Sequence, residues 1–359
     1  KEHRIVFRNL QQWAIARFLH VVDTNPEVHI VGRREADERL DLIGNLVIVR
    51  AGLAGLISGM FVVALVFFLD EHPAAKGLTP VEGFLLLTLA SSFATALELL
   101  FIYRDALRTA ARMSSILGIP KEDLGTVDLE HSIPHWLIHA ALGAPGFKGT
   151  MFGIDPLAHI GKAGHVIRKL LNKLRVVVSA TMFKIILRRL WARLIGRVAV
   201  RAFAMGAALP FFILLNMIAT RSMIRDMRSR LVGHELTPKL VEHAFPEGLS
   251  EISEGLDNEI FKGINQQIQT ARFMHPNQIR FLQLLPDTER SDLVGNADEQ
   301  RRCKRFLLAL FFMSGQATRR CRKMVRQLEW DLGGKEVQLV RQEIDDAIHD
   351  LTPLSRPWL

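Results

Sequence analysis

The sequence predicts an all-α integral membrane protein with a two-helix transmembrane hairpin and a cytoplasmic helical body. Two long apolar runs lie close together near the start of the chain, and helical spacing of apolar residues recurs through the remainder. No stretch alternates apolar and polar residues as a half-buried strand would. The 359 residues are 49% hydrophobic and 23% charged, which leaves room for both a membrane segment and a polar body.

Four consecutive segments follow from this composition. We expect an N-terminal amphipathic cytoplasmic segment (1–50), the transmembrane hairpin (51–103), a basic membrane-proximal helical domain (104–232) and a C-terminal helical bundle (233–359). The two cysteines, Cys303 and Cys321, lie on one helical region at a separation of about five turns, roughly 27 Å, too far for a bridge. The body therefore suits a reducing compartment.

The hairpin rests on residues 51–69, which carry no charge, and on residues 83–103, in which Glu98 is the only charge. Both runs are long enough to cross a bilayer core. Four Lys or Arg flank the hairpin closely on each side, whereas the connection carries only Lys76. The positive-inside rule then predicts a multi-pass protein with both termini in the cytoplasm.

Small residues recur every four positions along the first run, at Ala51, Gly55 and Gly59. Such a stripe lets two helix backbones approach closely. It serves either packing within the hairpin, against small residues of the second run, or association between protomers.

Glu98 lies less than two turns from the polar end of its run, and Arg50 lies at a matching depth. Ionisable residues in a membrane are costly and are often paired. We expect a structural Arg50–Glu98 ion pair. The alternatives are a simple interfacial position and a role in ion or proton handling.

Residues 156–225 contain 13 Lys or Arg and no Asp or Glu, and the whole chain carries a net charge of +9. Part of this segment has cationic residues at helical spacing beside apolar ones, a pattern typical of a helix at an anionic membrane surface. We expect lipid headgroups as the partner, with an acidic protein or a solvated face as alternatives, and no nucleic acid. The cationic residues are Lys184, Arg188, Arg189, Arg193, Arg197 and Arg201.

A further uncharged run covers residues 202–220. A third span is possible, but positive charge flanks both ends and Pro210 would kink a helix. We expect a bent helix that is buried in the cytoplasmic domain or lies shallowly in the membrane.

Five histidines fall between His131 and His165. Pro134 can start a helix that puts His135 and His139 one turn apart, which is acceptable spacing for two metal ligands. No third ligand is specified, so a structural role is the main interpretation, and we expect no cofactor.

The C-terminal third predicts a helical bundle. Thr237-Pro238 indicates the start of a helix over about 238–245, and further helices are expected at about 249–272, 276–285, 299–332, interrupted or bent near Ser314, and 336–350. Apolar residues from Phe306 to Met313 form the strongest core stripe.

The residues around FGIDPLAHIGKAG and RVAVRAFAMGAALPFFILLNMIATRSMIRDMRSR resemble bacterial EcsC-like helical proteins and a related bacterial membrane family. The resemblance covers about residues 150–232. It implies a helical protein of the bacterial inner membrane and supplies no catalytic residues. It depends mainly on Gly206, Pro210, Asn216, Thr220 and Arg221.

These features favour a non-catalytic, membrane-anchored scaffold or accessory subunit that binds anionic lipid and protein partners. One alternative is an oligomeric channel or a lipid-handling subunit in which the small-residue stripe joins protomers. Another is a membrane enzyme that uses metal bound in the histidine region. No nucleophile or phosphate-loop signature is complete in the sequence, which favours the non-enzymatic interpretation.

Overall fold

The computed structural model describes residues 33–71, 79–118, 149–158, 198–249, 252–285, 296–314 and 319–354. These residues belong to two compact units that are not consecutive in the sequence. Unit 1 takes the described residues within 1–42, 107–159 and 223–359. Unit 2 takes those within 43–106 and 160–222.

The described residues form eight α-helices and contain no β-strand beyond an isolated bridge between Met151 and Ile154. The all-α prediction is therefore confirmed for this part of the chain. In chain order the helices are α1 (Arg33–Glu71), α2 (Pro80–Ile116), α3 (Val198–Ala244), α4 (Glu254–Ala271), α5 (Pro276–Leu284), α6 (Ala297–Met313), α7 (Arg319–Leu332) and α8 (Gly334–His349).

Helices α1 and α2 contain the two apolar runs and extend well beyond them. They have 39 and 37 residues, so each is about 55–58 Å long at 1.5 Å per residue. Both are long and apolar enough to cross a membrane by length and composition. Only 17% of the most apolar window of each helix is buried within the protein, unlike the core helix of a soluble domain.

Helix α3 is a single helix of 47 residues that includes the third apolar run. It continues through Thr237 and Pro238, so the expected helix start at that dipeptide was wrong. Proline removes one backbone hydrogen bond from a helix. Its cost is offset here because Leu236 and Leu240 are buried in the core and the Thr237 hydroxyl donates to the Gly233 carbonyl at 2.6 Å.

Unit 1 has an aromatic and aliphatic core. The rings of Phe245 and Phe281 lie 5.2 and 4.7 Å from the ring of Phe306, measured between centroids, and all three side chains are fully buried. Gly263 on α4 faces Leu307 so closely that a Cβ would collide with it. Helix α6 therefore packs at the centre of the C-terminal bundle, as its apolar stripe predicts.

The bundle helices have recognisable ends. Ser253, His275 and Asn296 are the N-cap residues of α4, α5 and α6, and each side chain accepts a backbone N–H of its helix. The break between α7 and α8 falls at Gly333, whose φ of 88° favours glycine. Apart from the expected start at Pro238, the helix ends predicted in this third of the chain lie within about five residues of those observed.

Arg228 ties distant parts of unit 1 together. Its guanidinium donates to the Ile348 carbonyl at 2.9 Å and to Asp41 at 2.6 Å, and also to Asp37 and to the His349 carbonyl. Because the side chain is only 6% exposed, these are largely desolvated contacts. One arginine of α3 thus holds the start of α1 and the end of α8.

Candidate functional site

The buried polar centre of unit 2 is a hydrogen bond between α2 and α3. The Asn216 amide donates to the Glu98 carboxylate at 2.6 Å and to the Ala51 carbonyl of α1 at 3.3 Å. Glu98 is 7% exposed. A single asparagine of α3 therefore contacts both α1 and α2.

The small residues of α1 make this approach possible. A Cβ at Gly55 would collide with the Asn216 amide, and one at Gly59 would collide with Leu209. A Cβ at Gly52 would lie 3.0 Å from Met217. The stripe at Ala51, Gly55 and Gly59 therefore packs within the chain, and its partner is α3 rather than the second helix of the hairpin.

The hydroxyl groups of α2 are satisfied within the helix. Ser91, Ser92 and Thr95 donate to the carbonyls four residues earlier, at 2.6, 2.7 and 2.8 Å. Such bonds let a polar side chain lie in apolar surroundings without an unsatisfied donor. Glu98, in contrast, accepts a hydrogen bond from a different helix, at Asn216 of α3.

Arg50 forms an ion pair with Asp105 of α2. It donates to Asp105 at 3.3 Å, while the Glu98 carboxylate accepts from Asn216. Asp105 lies about two turns beyond Glu98, toward the polar end of α2, where Arg50 remains 46% exposed. Arg50 and Glu98 thus each take part in a contact with another residue, and the expected Arg50–Glu98 ion pair stays a prediction.

A groove of about 530 Å³ runs between α1 and α2. Arg50 and Glu98 both line it, together with Ser58. Its walls are otherwise apolar, with Leu53, Ile57 and Phe61 on α1 and Phe93, Leu97 and Phe101 on α2. The groove therefore combines an apolar channel with charged groups, the usual composition of a small-molecule pocket.

A second polar cluster lies inside unit 1, on α3 and at the start of α5. Arg230 bonds Asp226 at 2.7 Å, and the His275 Nε2 lies 3.9 Å from the same carboxylate, too far for a hydrogen bond. The His275 Nδ1 accepts the Asn277 N–H at 3.3 Å, so the ring carries its proton on Nε2.

The pKa values of this cluster follow from its burial. Burial lowers the pKa of His275, and the nearby Arg230 charge adds to this while Asp226 opposes it. Burial would raise the pKa of Asp226, but Arg230 and His275 together lower it below its ordinary value. The neutral His275 ring caps α5 and lies beside the Arg230–Asp226 ion pair. Both contacts fit a structural role for this histidine.

Several predicted site residues lie outside the described residues. These are His135 and His139 of the metal hypothesis, and Lys184, Arg188, Arg189, Arg193 and Arg197 of the basic stripe. Arg201 lies on α3. Within the described ranges, no cluster of three or more His, Cys, Asp or Glu side chains could hold a metal ion.

No protein-family model matches this chain, and neither a curated protein nor a solved structure matches it significantly. The resemblance to EcsC-like proteins therefore stays a prediction.

Proposed function

We propose that this chain is a non-catalytic membrane protein, in which unit 2 lies in the bilayer and unit 1 is a cytoplasmic helical body that binds protein partners. The supporting observation is the distribution of exposed apolar side chains. Of the 22 large apolar side chains that are exposed among the described residues, 17 lie on α1 and α2 between Leu42 and Phe101. In water, such a continuous apolar surface would be strongly unfavourable.

The contacts of α3 support its insertion beside the hairpin. Residues Leu209 and Asn216 meet the middle and the polar end of the apolar run of α1, so the two helices run side by side at the same depth. Leu214 and Ile218 of α3 are exposed, as lipid-facing residues would be. This proposal revises the expectation of a helix buried in the body or lying shallowly on the membrane.

The basic residues fit the same picture. Near the polar ends of α1 and α2, arginines such as Arg39 and Arg112 favour the cytoplasmic side. Because α3 runs antiparallel to α1, with Leu209 at Gly59 and Asn216 at Gly55, Arg201 lies toward the end of the apolar run of α1 that is opposite to Arg50. In this proposal the basic stripe from Lys184 to Arg201 contacts anionic headgroups at that surface of the membrane. The bacterial inner membrane is the location that the EcsC-like resemblance implies.

Alkaline carbonate extraction, followed by native mass spectrometry of the gently solubilised particle, tests both parts of the proposal. We expect the chain to stay in the membrane pellet and to be recovered with a different protein at fixed stoichiometry. Release into the supernatant would contradict membrane anchoring. Recovery as a closed homo-oligomer would contradict the accessory-subunit role.

A lipid-handling subunit is the second candidate, and the groove between α1 and α2 favours it. The groove opens between two apolar helices and carries Arg50 and Glu98. Recovery of the closed homo-oligomer with bound lipid in the same experiment would support this function in place of the first.

A further inference from the structure

We propose that the groove between α1 and α2 holds one acyl chain of an aminophospholipid, with the lipid phosphate at Arg50. This inference rests on the proposed insertion of unit 2 in a membrane. It assigns to the groove a specific ligand and not only a general contact with lipid.

The length of the groove matches one leaflet. Along α1 its walls run from Arg50 to Phe61, a separation of 11 positions or about 17 Å of helix. Half of a hydrocarbon core of about 30 Å is about 15 Å. An acyl chain of one leaflet can therefore follow the apolar walls while its headgroup stays at the level of Arg50.

The volume also suits a bound molecule. The groove measures about 530 Å³, within the range of roughly 300–1,000 Å³ found for small-molecule sites. Ala54 and Ala94 lie along it, and their short side chains leave the space that bulkier residues would fill. A larger residue at Ala54 would obstruct the groove.

Arg50 is suited to a phosphate. A guanidinium has five N–H donors in a planar fork that matches phosphate oxygens. Arg50 uses one nitrogen for Asp105 at 3.3 Å, and 46% of its side chain is exposed. The geometry leaves the rest of the fork for a ligand at this end of the groove.

Charge distinguishes between headgroups. Glu98 and Asp105 both lie near Arg50, so a headgroup with negative charge alone would meet two carboxylates beside one guanidinium. A zwitterionic headgroup can direct its phosphate to Arg50 and its ammonium toward the carboxylates. Charge complementarity therefore favours an aminophospholipid over a purely anionic lipid.

Lipid titration of the full chain in mild detergent, read by native mass spectrometry, tests the proposal. The probes are phosphatidylethanolamine and phosphatidylglycerol with identical acyl chains, and inorganic phosphate alone as a competitor. We expect phosphatidylethanolamine to bind more tightly, and we expect Arg50→Gln and Ala54→Phe each to weaken it by about tenfold or more. Arg39→Gln is the control, because its i,i+4 partner Glu35 lies on α1 outside the groove.

Equal retention of phosphatidylethanolamine by all variants would overturn the proposal. Stronger binding of phosphatidylglycerol, or displacement of the lipid by inorganic phosphate, would overturn it as well. Circular dichroism of each variant verifies folding, and Ala54→Phe tests the groove without touching the Arg50–Asp105 bond. Carbonate extraction of the same variants separates the two failures: membrane-bound protein that retains lipid equally contradicts this inference alone, whereas released protein contradicts the proposed function.

Discussion

Arg228 shows how much one buried side chain contributes to unit 1. It donates hydrogen bonds to two backbone carbonyls at the end of α8 and to two carboxylates at the start of α1. A buried cation is favourable only when its donors are satisfied, and here they meet both charged and neutral acceptors. Asp37, 21% exposed, contributes more to this pairing than Asp41, which is 63% exposed.

We predict that Arg228→Met destabilises unit 1 by about 3–5 kcal/mol, because it leaves Asp37 and two carbonyls without their donor. The free energy of unfolding can be measured by urea titration in mild detergent. Arg39→Met is the matched control. Arg39 pairs with Glu35 on the exposed surface of α1, and the loss of this pair should lower the free energy of unfolding by less than about 1 kcal/mol. Equal effects of the two variants would contradict the assignment.

His275 makes the stability of unit 1 depend on pH. Its pKa lies below the ordinary value of 6.5 because the ring is buried. As pH falls through about 6.5, the unfolded chain binds a proton that the folded chain does not yet bind. The free energy of unfolding therefore decreases as the pH is lowered through this range, by at most about 1.4 kcal/mol per pH unit for one proton.

We predict that His275→Asn makes this pH dependence shallower as the pH falls below about 6.5, because the pKa of His275 in the folded chain lies below that value. Asparagine can still accept the N-cap hydrogen bond of α5. Urea midpoints at several pH values give the slope. His243 and His349 also have pKa values lowered by burial. The His275→Asn variant should therefore keep part of the slope that the wild-type protein shows. An unchanged slope would show that His275 is not responsible.

At the scale of helices, the hydrogen bond between Glu98 and Asn216 couples α2 to α3. Removing either side chain leaves the other polar group buried among apolar residues. A double-mutant cycle with Glu98→Leu and Asn216→Leu isolates the interaction. We predict a coupling energy of about 0.6–1.7 kcal/mol, in the range measured for hydrogen bonds between membrane helices.

Stability in lipid bicelles under increasing detergent denaturant provides the readout for this cycle. Glu98→Gln is the conservative control, since an amide oxygen can still accept from Asn216. Strictly additive single variants would mean that the observed bond contributes nothing to the packing of α2 and α3.

Local patterns predicted the helices better than their partners. The apolar runs gave α1 and α2, and the periodic stripe from Phe306 to Met313 gave α6. Helix α3 was misread at Pro238 because tertiary burial of its neighbours outweighs the local cost of proline. Periodicity and capping depend on residues close in sequence, and this local information predicted the position of most helices but not the continuation of α3 through Pro238.

The site was harder to predict because its contacts join residues far apart in the chain. Asn216 lies 118 residues from Glu98, and Asp105 lies 55 residues from Arg50. The matching depths of Arg50 and Glu98 in the two apolar runs predicted that these residues are neighbours. Depth alone could not predict which hydrogen-bond partner each of them would contact. An asparagine in the middle of an apolar run was the available signal, since such a side chain needs a polar partner.

At the scale of the whole molecule, the decisive question is whether α3 enters the bilayer with the hairpin. We predict that Leu214→Cys, on a background with Cys303→Ser and Cys321→Ser, reacts slowly with a membrane-impermeant maleimide in intact vesicles, although Leu214 is 53% exposed in the protein. Lipid would cover this side chain if α3 lies beside α1. Trp330→Cys is the positive control in inside-out vesicles, because Trp330 is 90% exposed on unit 1, which the proposed function places in the cytoplasm. Labelling of both cysteines at the same rate would mean that α3 lies in water, so its contacts with Gly55 and Glu98 would have to form outside the membrane.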